Sequence, residues 1–129
     1  TRPGLRGPVR PEPRSVVADW NEGEQRMTVY HATQAPHMMQ NLFAKHLGLA
    51  EHQVRVITKD VGGSFGIKVH TYADEMATVA LSKLLKRPVK FVADRIESFV
   101  TDIHARDHRI KARIGVSKDG PYKPDSYRY

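Results

Sequence analysis

The stretch that decides the fold reads Val54-Arg55-Val56-Ile57-Thr58-Lys59-Asp60-Val61-Gly62-Gly63-Ser64-Phe65-Gly66-Ile67-Lys68. Its β-branched first part predicts a strand over residues 54–58. Three glycines in five positions then precede a helical pattern that starts near Thr71. Because glycine loses more backbone entropy than any other residue on ordering, such a loop indicates a positive φ or the close approach of another group. Backbone N–H groups beside a helix start also suit an anionic ligand.

The glycine loop does not match the best-known phosphate-binding patterns. Neither G-x-x-x-x-G-K-[ST] nor G-x-G-x-x-G is present at residues 62–66. A nucleotide is therefore not the expected ligand, and a glycine-rich turn that binds nothing stays open as an alternative. Phe65 is unusual in a plain turn, so its ring either anchors the loop in a core or faces a flat ligand.

Length and composition are those of one globular domain without cysteine chemistry. The 129 residues are enough to bury a core, and no apolar run approaches the roughly 18 residues of a membrane span. The absence of cysteine excludes disulfides and iron–sulfur ligation by this chain, and we expect a cytoplasmic setting. The net charge of +7 comes from scattered Lys and Arg without an aromatic platform, so we expect neither nucleic-acid nor membrane binding.

Segments on both sides of the opening stretch predict the rest of a sheet. Residues 14–20 and 27–33 have β-type composition and are separated by a turn signal at 21–24, which predicts a hairpin. Residues 89–92 predict another strand, and the clean alternation of residues 109–116 predicts a half-buried one.

Two longer segments predict helices. One runs from Pro36 to Leu47 and ends at Gly48, and the other spans roughly Tyr72 to Leu85 after a capping-box-like start. The first has an apolar stripe at helical spacing, formed by Met39, Leu42, Phe43, His46 and Leu47. The second is apolar over a broad arc and should be largely buried. Residues 94–99 predict a short helical turn. The order of elements predicts an α+β fold, a mixed β-sheet with two main helices packed on it.

The ends of the chain differ in composition from its middle. Residues 1–13 contain four prolines and two glycines, and they predict an extended arm or linker. Residues 14–120 carry the predicted domain, and residues 121–129 predict an irregular tail. A turn near residue 119 without a following strand indicates either truncation or a divergent tail.

Outside the glycine loop, few residues are candidates for chemistry. His104 and His108 have the i, i+4 spacing of metal ligands, but their segment leads into a predicted strand, so we predict a solvated polar stretch and no metal site. Ser64 lacks the G-x-S-x-G spacing of a nucleophile, and no catalytic residue is predicted. Gln34 lies between a strand and a proline-started helix, where its amide either donates into a cleft or serves the helix entry.

Several dispersed segments together resemble the molybdenum hydroxylases. The chain is similar to part of the molybdopterin-binding domain in the large subunit of the xanthine dehydrogenase, aldehyde oxidase and carbon monoxide dehydrogenase family. The matching segments keep the family's order over residues 11–120 and are Glu12-Pro13-Arg14, Thr33-Gln34-Ala35-Pro36-His37, Leu47-Gly48-Leu49, Asp60 to Lys68, Arg87-Pro88-Val89-Lys90 and Asp94-Arg95-Ile96-Glu97.

The resemblance implies a cofactor site. Gln34 matches a glutamine that hydrogen-bonds an oxo ligand of molybdenum, and the loop residues Gly62, Gly63, Ser64, Phe65 and Gly66 match the cofactor-contacting loop. It also implies iron–sulfur clusters (2Fe-2S) and FAD on partner subunits or domains, and a small-molecule substrate. The cofactor supplies the redox chemistry, and the protein supplies positioning and electrostatics.

The chain also departs from the family. Ser64 replaces the third of three consecutive glycines, and Val69 stands where purine-oxidising members carry a glutamate. Nothing corresponds to the family's catalytic glutamate, so we expect the chain to be catalytically incomplete by itself. A stand-alone binding or assembly module that keeps the scaffold without catalysis is the alternative interpretation.

Overall fold

The computed structural model describes residues 12–104 and 109–111. It contains three helices, α1 (Pro36–Leu47), α2 (Ala73–Leu85) and α3 (Arg95–Thr101), with short 3-10 turns before the third strand and after the glycine loop. Two of these helices, α1 and α2, pack on the sheet, and α3 follows it. This arrangement confirms the predicted α+β class.

Within the part of the chain that the structure describes, the sheet has four strands in the order β3-β2-β1-β4. The strands are β1 (Ser15–Asn21), β2 (Arg26–His31), β3 (Val54–Ile57) and β4 (Val89–Val92). β1 pairs antiparallel with both β2 and β4, whereas β2 pairs in parallel with β3. The parallel pair brings the ends of β2 and β3, and therefore the loops that follow them, to the same edge of the sheet.

Alternating burial along the hairpin explains which face carries the core. In β1 the side chains of Val16, Ala18 and Trp20 are buried, and Met27 and Val29 of β2 lie on the same face. Residues 22–25 form the turn, and Gln25 takes a positive φ of 50° there. The predicted hairpin is confirmed, with β2 ending at His31 and not at Thr33.

Helix α1 covers this face with its predicted stripe. Met39 and Phe43 are fully buried, and Leu42 and Leu47 pack against the core, whereas His46 is exposed. Gly48 ends the helix with a left-handed φ of 64°, and its N–H donates to the Ala44 carbonyl. The predicted C-terminal glycine is therefore confirmed.

Helix α2 differs from its prediction in two ways. Its buried face is formed by Glu75, Thr78, Val79 and Ser82, while its leucines are largely exposed, Leu84 by 75%. The predicted capping box is also wrong, because the cap residue is Tyr72 and no side chain caps the helix. The prediction that the apolar arc is buried was wrong, because the buried face of this helix contacts polar groups as well as apolar ones.

A buried arginine is the reason for that polar face. The Arg14 guanidinium is fully buried and donates to Asp74 at 2.8 Å, to Glu75 at 3.0 Å and to Asp102 at 2.6 Å. Its Cζ atom lies 3.8 Å from the centroid of the Tyr72 ring. Burial opposes the charge, yet the hydrogen bonds that Arg14 donates to these carboxylates outweigh it and raise the pKa of Arg14 above its ordinary value. Arg14, which directly precedes β1, thus connects this strand to the first turn of α2 and to the end of α3.

The C-terminal part of the described chain agrees with the sequence at one predicted element. The short helical turn predicted at residues 94–99 is the helix α3, whose Asp94 and Glu97 form a capping box. Of the strand predicted at residues 109–116, residues 109–111 have no regular structure, and the others lie outside the described residues. The domain bounds stay predictions. No helix of the described residues has the length and apolarity needed to cross a membrane.

Candidate functional site

Two loops meet at the edge where the parallel strands end. One follows β2 and contains Thr33 and Gln34, and the other is the glycine loop after β3. The Lys68 carbonyl oxygen accepts two hydrogen bonds from the first loop, from the Thr33 hydroxyl at 2.8 Å and from the Gln34 backbone N–H at 3.1 Å. Both loops are therefore fixed relative to each other through one backbone group.

The glycine loop uses positive φ angles, as its composition predicts. Gly63 has a φ of 130° and Gly66 a φ of 84°, and Phe65 between them has a φ of 49°. A positive φ is uncommon for a residue other than glycine and for a bulky side chain is costly. The Phe65 side chain is 77% exposed, so it does not anchor the loop in the core.

Close packing explains two of the glycines. A Cβ atom on Gly63 would lie 3.3 Å from Cε2 of the Phe65 ring, and one on Gly62 would lie 2.9 Å from a carboxylate oxygen of Glu12. The first distance shows that the ring lies over the backbone of Gly63. The second shows that the close approach expected at this loop comes, at Gly62, from the chain itself.

Glu12 occupies the position where an anion would meet the start of the loop. One of its carboxylate oxygens accepts the N–H of Gly62 and lies 2.8 Å from the Lys68 ammonium, whose side chain is fully buried. The hydrogen bond from Lys68 and then the one from Gly62 lower the pKa of Glu12. Glu12 thereby neutralises a buried cation and holds the loop at the same time.

Ser64 connects the glycine loop to Gln34. The Ser64 hydroxyl accepts the backbone N–H of Lys68 at 3.1 Å and donates to the side-chain carbonyl oxygen of Gln34. Among the described residues, the Gln34 amide NH₂ group has no acceptor, and neither have the backbone N–H groups of residues 63–66. The arrangement therefore presents several donors on neighbouring groups, with an exposed aromatic ring beside them.

The donors lie on residues that are exposed or half-buried. Two clefts of the described residues are near them, one of about 390 Å³ beside His37 and Thr58 and one of about 210 Å³ beside Glu12 and Asp60. Neither Gln34 nor residues 62–66 line these clefts. A ligand at the donors would be covered on its far side by something other than the described residues.

The match to a protein family decides what this arrangement belongs to. Residues 8–123 match the molybdopterin cofactor-binding domain. The chain belongs to this family. Since the match takes in nearly all of the sequence, the predicted resemblance to molybdenum hydroxylases is confirmed.

Similar proteins of this family include large subunits of several oxidoreductases. The carbon monoxide dehydrogenase large chain of Afipia carboxidovorans is 36% identical over 87% of this chain and 14% of its own length. The nicotine 6-hydroxylase large subunit of Paenarthrobacter nicotinovorans is 34% identical over 92% of this chain and 14% of its own. Xanthine dehydrogenase and aldehyde oxidase chains are also among the similar proteins.

A solved structure agrees with the fold. Carbon monoxide dehydrogenase from Oligotropha carboxidovorans superposes with a TM-score of 0.76 and 37% identity, over 78% of this chain and 13% of that one. The chain thus spans about a seventh of the length of the relatives it matches.

The residues of the molybdopterin cofactor-binding domain described above fit an anionic, flat cofactor. The Gln34 amide and the N–H groups of residues 63–66 are donors without acceptors among the described residues, and the Phe65 ring is exposed beside them. Hydrogen-bond donors suit the oxo and phosphate oxygens of such a group, and an exposed ring suits a planar one. The predicted residues Gln34 and 62–66 are brought together by the structure, and their cofactor contacts stay a prediction.

Sequence reasoning missed three residues that shape this site. Thr33, Lys68 and Glu12 each bond to a loop that was predicted, but their side-chain partners are 35 to 56 residues away in sequence. All three residues lie inside segments that carry the family resemblance, which was the only available signal.

The other candidate residues have structural partners or exposed positions. His104 is exposed, while His108 lies outside the described residues. No group of three potential metal ligands is found among residues 12–104 and 109–111. Asp102 pairs with Arg14.

Proposed function

We propose that this chain holds part of the molybdenum cofactor in the large subunit of a molybdopterin-dependent oxidoreductase. Gln34 and the loop Gly62–Gly66 supply the contacts. The observation that carries the proposal is the adjacency of Gln34 and Ser64, which sets an amide with two free N–H groups beside the backbone N–H groups of residues 63–66, which have no acceptor among the described residues. Donors grouped in this way suit an oxygen-rich anion.

Each residue has a distinct part in this function. Gln34 donates from its amide to an oxygen of the cofactor, and the backbone of residues 63–66 donates to others. Phe65 offers its ring face, while glycine at 63 and 66 keeps the main chain accessible. The bound cofactor supplies the redox chemistry, and this chain orients it.

The partners and the substrate belong to the longer protein. We infer that iron–sulfur and flavin subunits or domains remove the electrons, as the resemblance implies, and that the substrate is a small molecule. The chain contributes no catalytic acid or base to this proposal and is not catalytically complete alone.

The function is tested in the large subunit that contains this domain. We expect the purified wild-type subunit to contain molybdenum and pterin. We expect Gln34→Ala to lower turnover about 100-fold, the order of magnitude found on removal of one preorganised donor, with a smaller loss of bound metal. Metal analysis, pterin fluorescence after oxidation and steady-state kinetics measure these outcomes.

The control replaces another exposed residue close to Gln34, at the start of helix α1. His37→Ala lies three residues further along the chain and removes a side chain of similar size from the surface. We expect it to keep both turnover and metal content. A wild-type subunit free of molybdenum and pterin would contradict the proposal.

A further inference from the structure

The Ser64 hydroxyl is placed to control the direction of the Gln34 amide. Ser64 lies in the glycine loop, and Gln34 lies 30 residues earlier in the loop after β2. The hydroxyl accepts from Lys68 N–H and donates to the Gln34 side-chain oxygen. We propose that Ser64 is a positioning residue, which turns the NH₂ group of Gln34 toward the cofactor. This inference rests on the proposed function.

The hydrogen-bond capacity of the two groups gives the direction. A serine hydroxyl has one proton and two lone pairs, whereas the carbonyl oxygen of glutamine only accepts and its NH₂ group only donates. The Lys68 N–H uses one lone pair of Ser64. The proton is then free for Gln34, and in the structure its acceptor is the side-chain carbonyl oxygen of Gln34. The reversed amide would leave the Ser64 proton without this acceptor.

The backbone holds both partners in place for this contact. The Gln34 N–H donates to the Lys68 carbonyl, while the Lys68 N–H donates to Ser64. The two side chains therefore start from backbone positions fixed by one residue. With the usual family glycine at position 64 there would be no hydroxyl, and the Gln34 amide would keep its rotational freedom.

The contact itself is tested in the 129-residue chain without any cofactor. NMR of the Gln34 side chain, assigned by loss of the signal in Gln34→Ala, follows its Cδ and Nε2 shifts. We expect Ser64→Ala to move the Gln34 signals toward those of a free amide, and Ser64→Thr to restore them. Ser98→Ala is the matched control, because the Ser98 hydroxyl is buried and has no partner among the described residues. Unchanged Gln34 signals in Ser64→Ala would overturn the inference.

The consequence for the cofactor is tested in the large subunit. We expect Ser64→Ala to keep molybdenum and pterin content, to lower kcat about two- to tenfold at unchanged KM, and to shift the Mo(V) electron paramagnetic resonance signal. Ser64→Thr should restore both, and Ser64→Ala should have no further effect in a Gln34→Ala background.

The two experiments separate the inference from the proposed function. If the NMR signals respond but the wild-type subunit holds no molybdenum, the proposed function fails while the Ser64–Gln34 contact stands. If the subunit holds molybdenum and Ser64→Ala changes neither kcat nor the resonance signal, the positioning role is overturned. Equal losses of metal in Ser64→Ala and Ser98→Ala would also overturn it.

Discussion

Glu12 shows how one residue changes the meaning of a glycine loop. Bare N–H groups in such a loop indicate an external anion, yet the N–H of Gly62 bonds to a carboxylate of the chain itself. That carboxylate is held by the ammonium of Lys68, whose side chain is fully buried. The donors left for a ligand are therefore those of residues 63–66 and Gln34, on the far part of the loop.

The charge of Glu12 makes the loop sensitive to acid. Because its folded-state pKa is lowered, Glu12 stabilises the fold above its ordinary pKa, and this contribution is lost as pH falls through the lowered value. The pKa of Asp74 is lowered too, mainly because Asp74 accepts a hydrogen bond from Arg14. The ionised Asp74 therefore also stabilises the fold, and this contribution is also lost as the pH falls. We expect the contribution of these two carboxylates to stability to be constant from about pH 7 to 5 and to fall below the ordinary carboxyl pKa of about 4.

Urea denaturation at a series of pH values measures this loss. Glu12→Gln keeps an acceptor for Gly62 but removes the charge, so it should weaken the dependence on pH. Glu24→Gln, in the exposed turn of the hairpin, is the control and should leave the profile unchanged. A Glu12→Gln profile that coincides with the wild type would show that the Lys68 pair does not contribute.

Gly63 combines two requirements that only glycine meets. Its φ of 130° is rare for L-residues, and a Cβ atom would press on the Phe65 ring at 3.3 Å. We expect Gly63→Ala to lower the free energy of unfolding by about 1–3 kcal/mol, measured by urea denaturation. Gly23→Ala is the control, because its Cβ would make only an ordinary contact with Asn21, and it should change stability by about 0.5 kcal/mol or less. Equal effects would contradict the prediction.

At the scale of the elements, the predictions were right where the apolar residues of a helix pack on an apolar face of the sheet. Helix α1 lies on the sheet with Met39 and Phe43 inward, and its stripe and C-terminal glycine were both readable. Helix α2 was misjudged because periodicity does not reveal a buried charge. Glu75 faces inward since Arg14 is there, and the exposed Leu81 and Leu84 follow from that orientation.

The Arg14 cluster should make a large contribution to the attachment of α2. Arg14→Met leaves the carboxylate of Glu75 buried without its cation, and loss of one partner of a buried pair costs about 3–5 kcal/mol. Thermal and urea unfolding of the variant should show this loss. Lys86→Met is the control with the same new side chain, because the exposed Lys86–Glu22 pair should contribute little to stability. A loss in Arg14→Met as small as in the control would contradict this account.

At the scale of the whole molecule, the candidate site could be predicted only in parts. The glycine loop and Gln34 were recognisable, because positive φ angles and the strand–proline junction leave signals in the sequence. Their bond to each other was not recognisable, because it depends on the parallel pairing of β2 and β3, which brings two distant loops to one edge. The same pairing places Thr33 beside Lys68.

The Lys68 pair has a consequence for how this domain can change during evolution. Many ion pairs tolerate exchange of the acid and the base between their two positions. Here position 12 must also accept the N–H of Gly62, which a lysine side chain does not do. A charge-reversed pair would set a donor against a donor, so sequence drift at positions 12 and 68 is confined to one polarity.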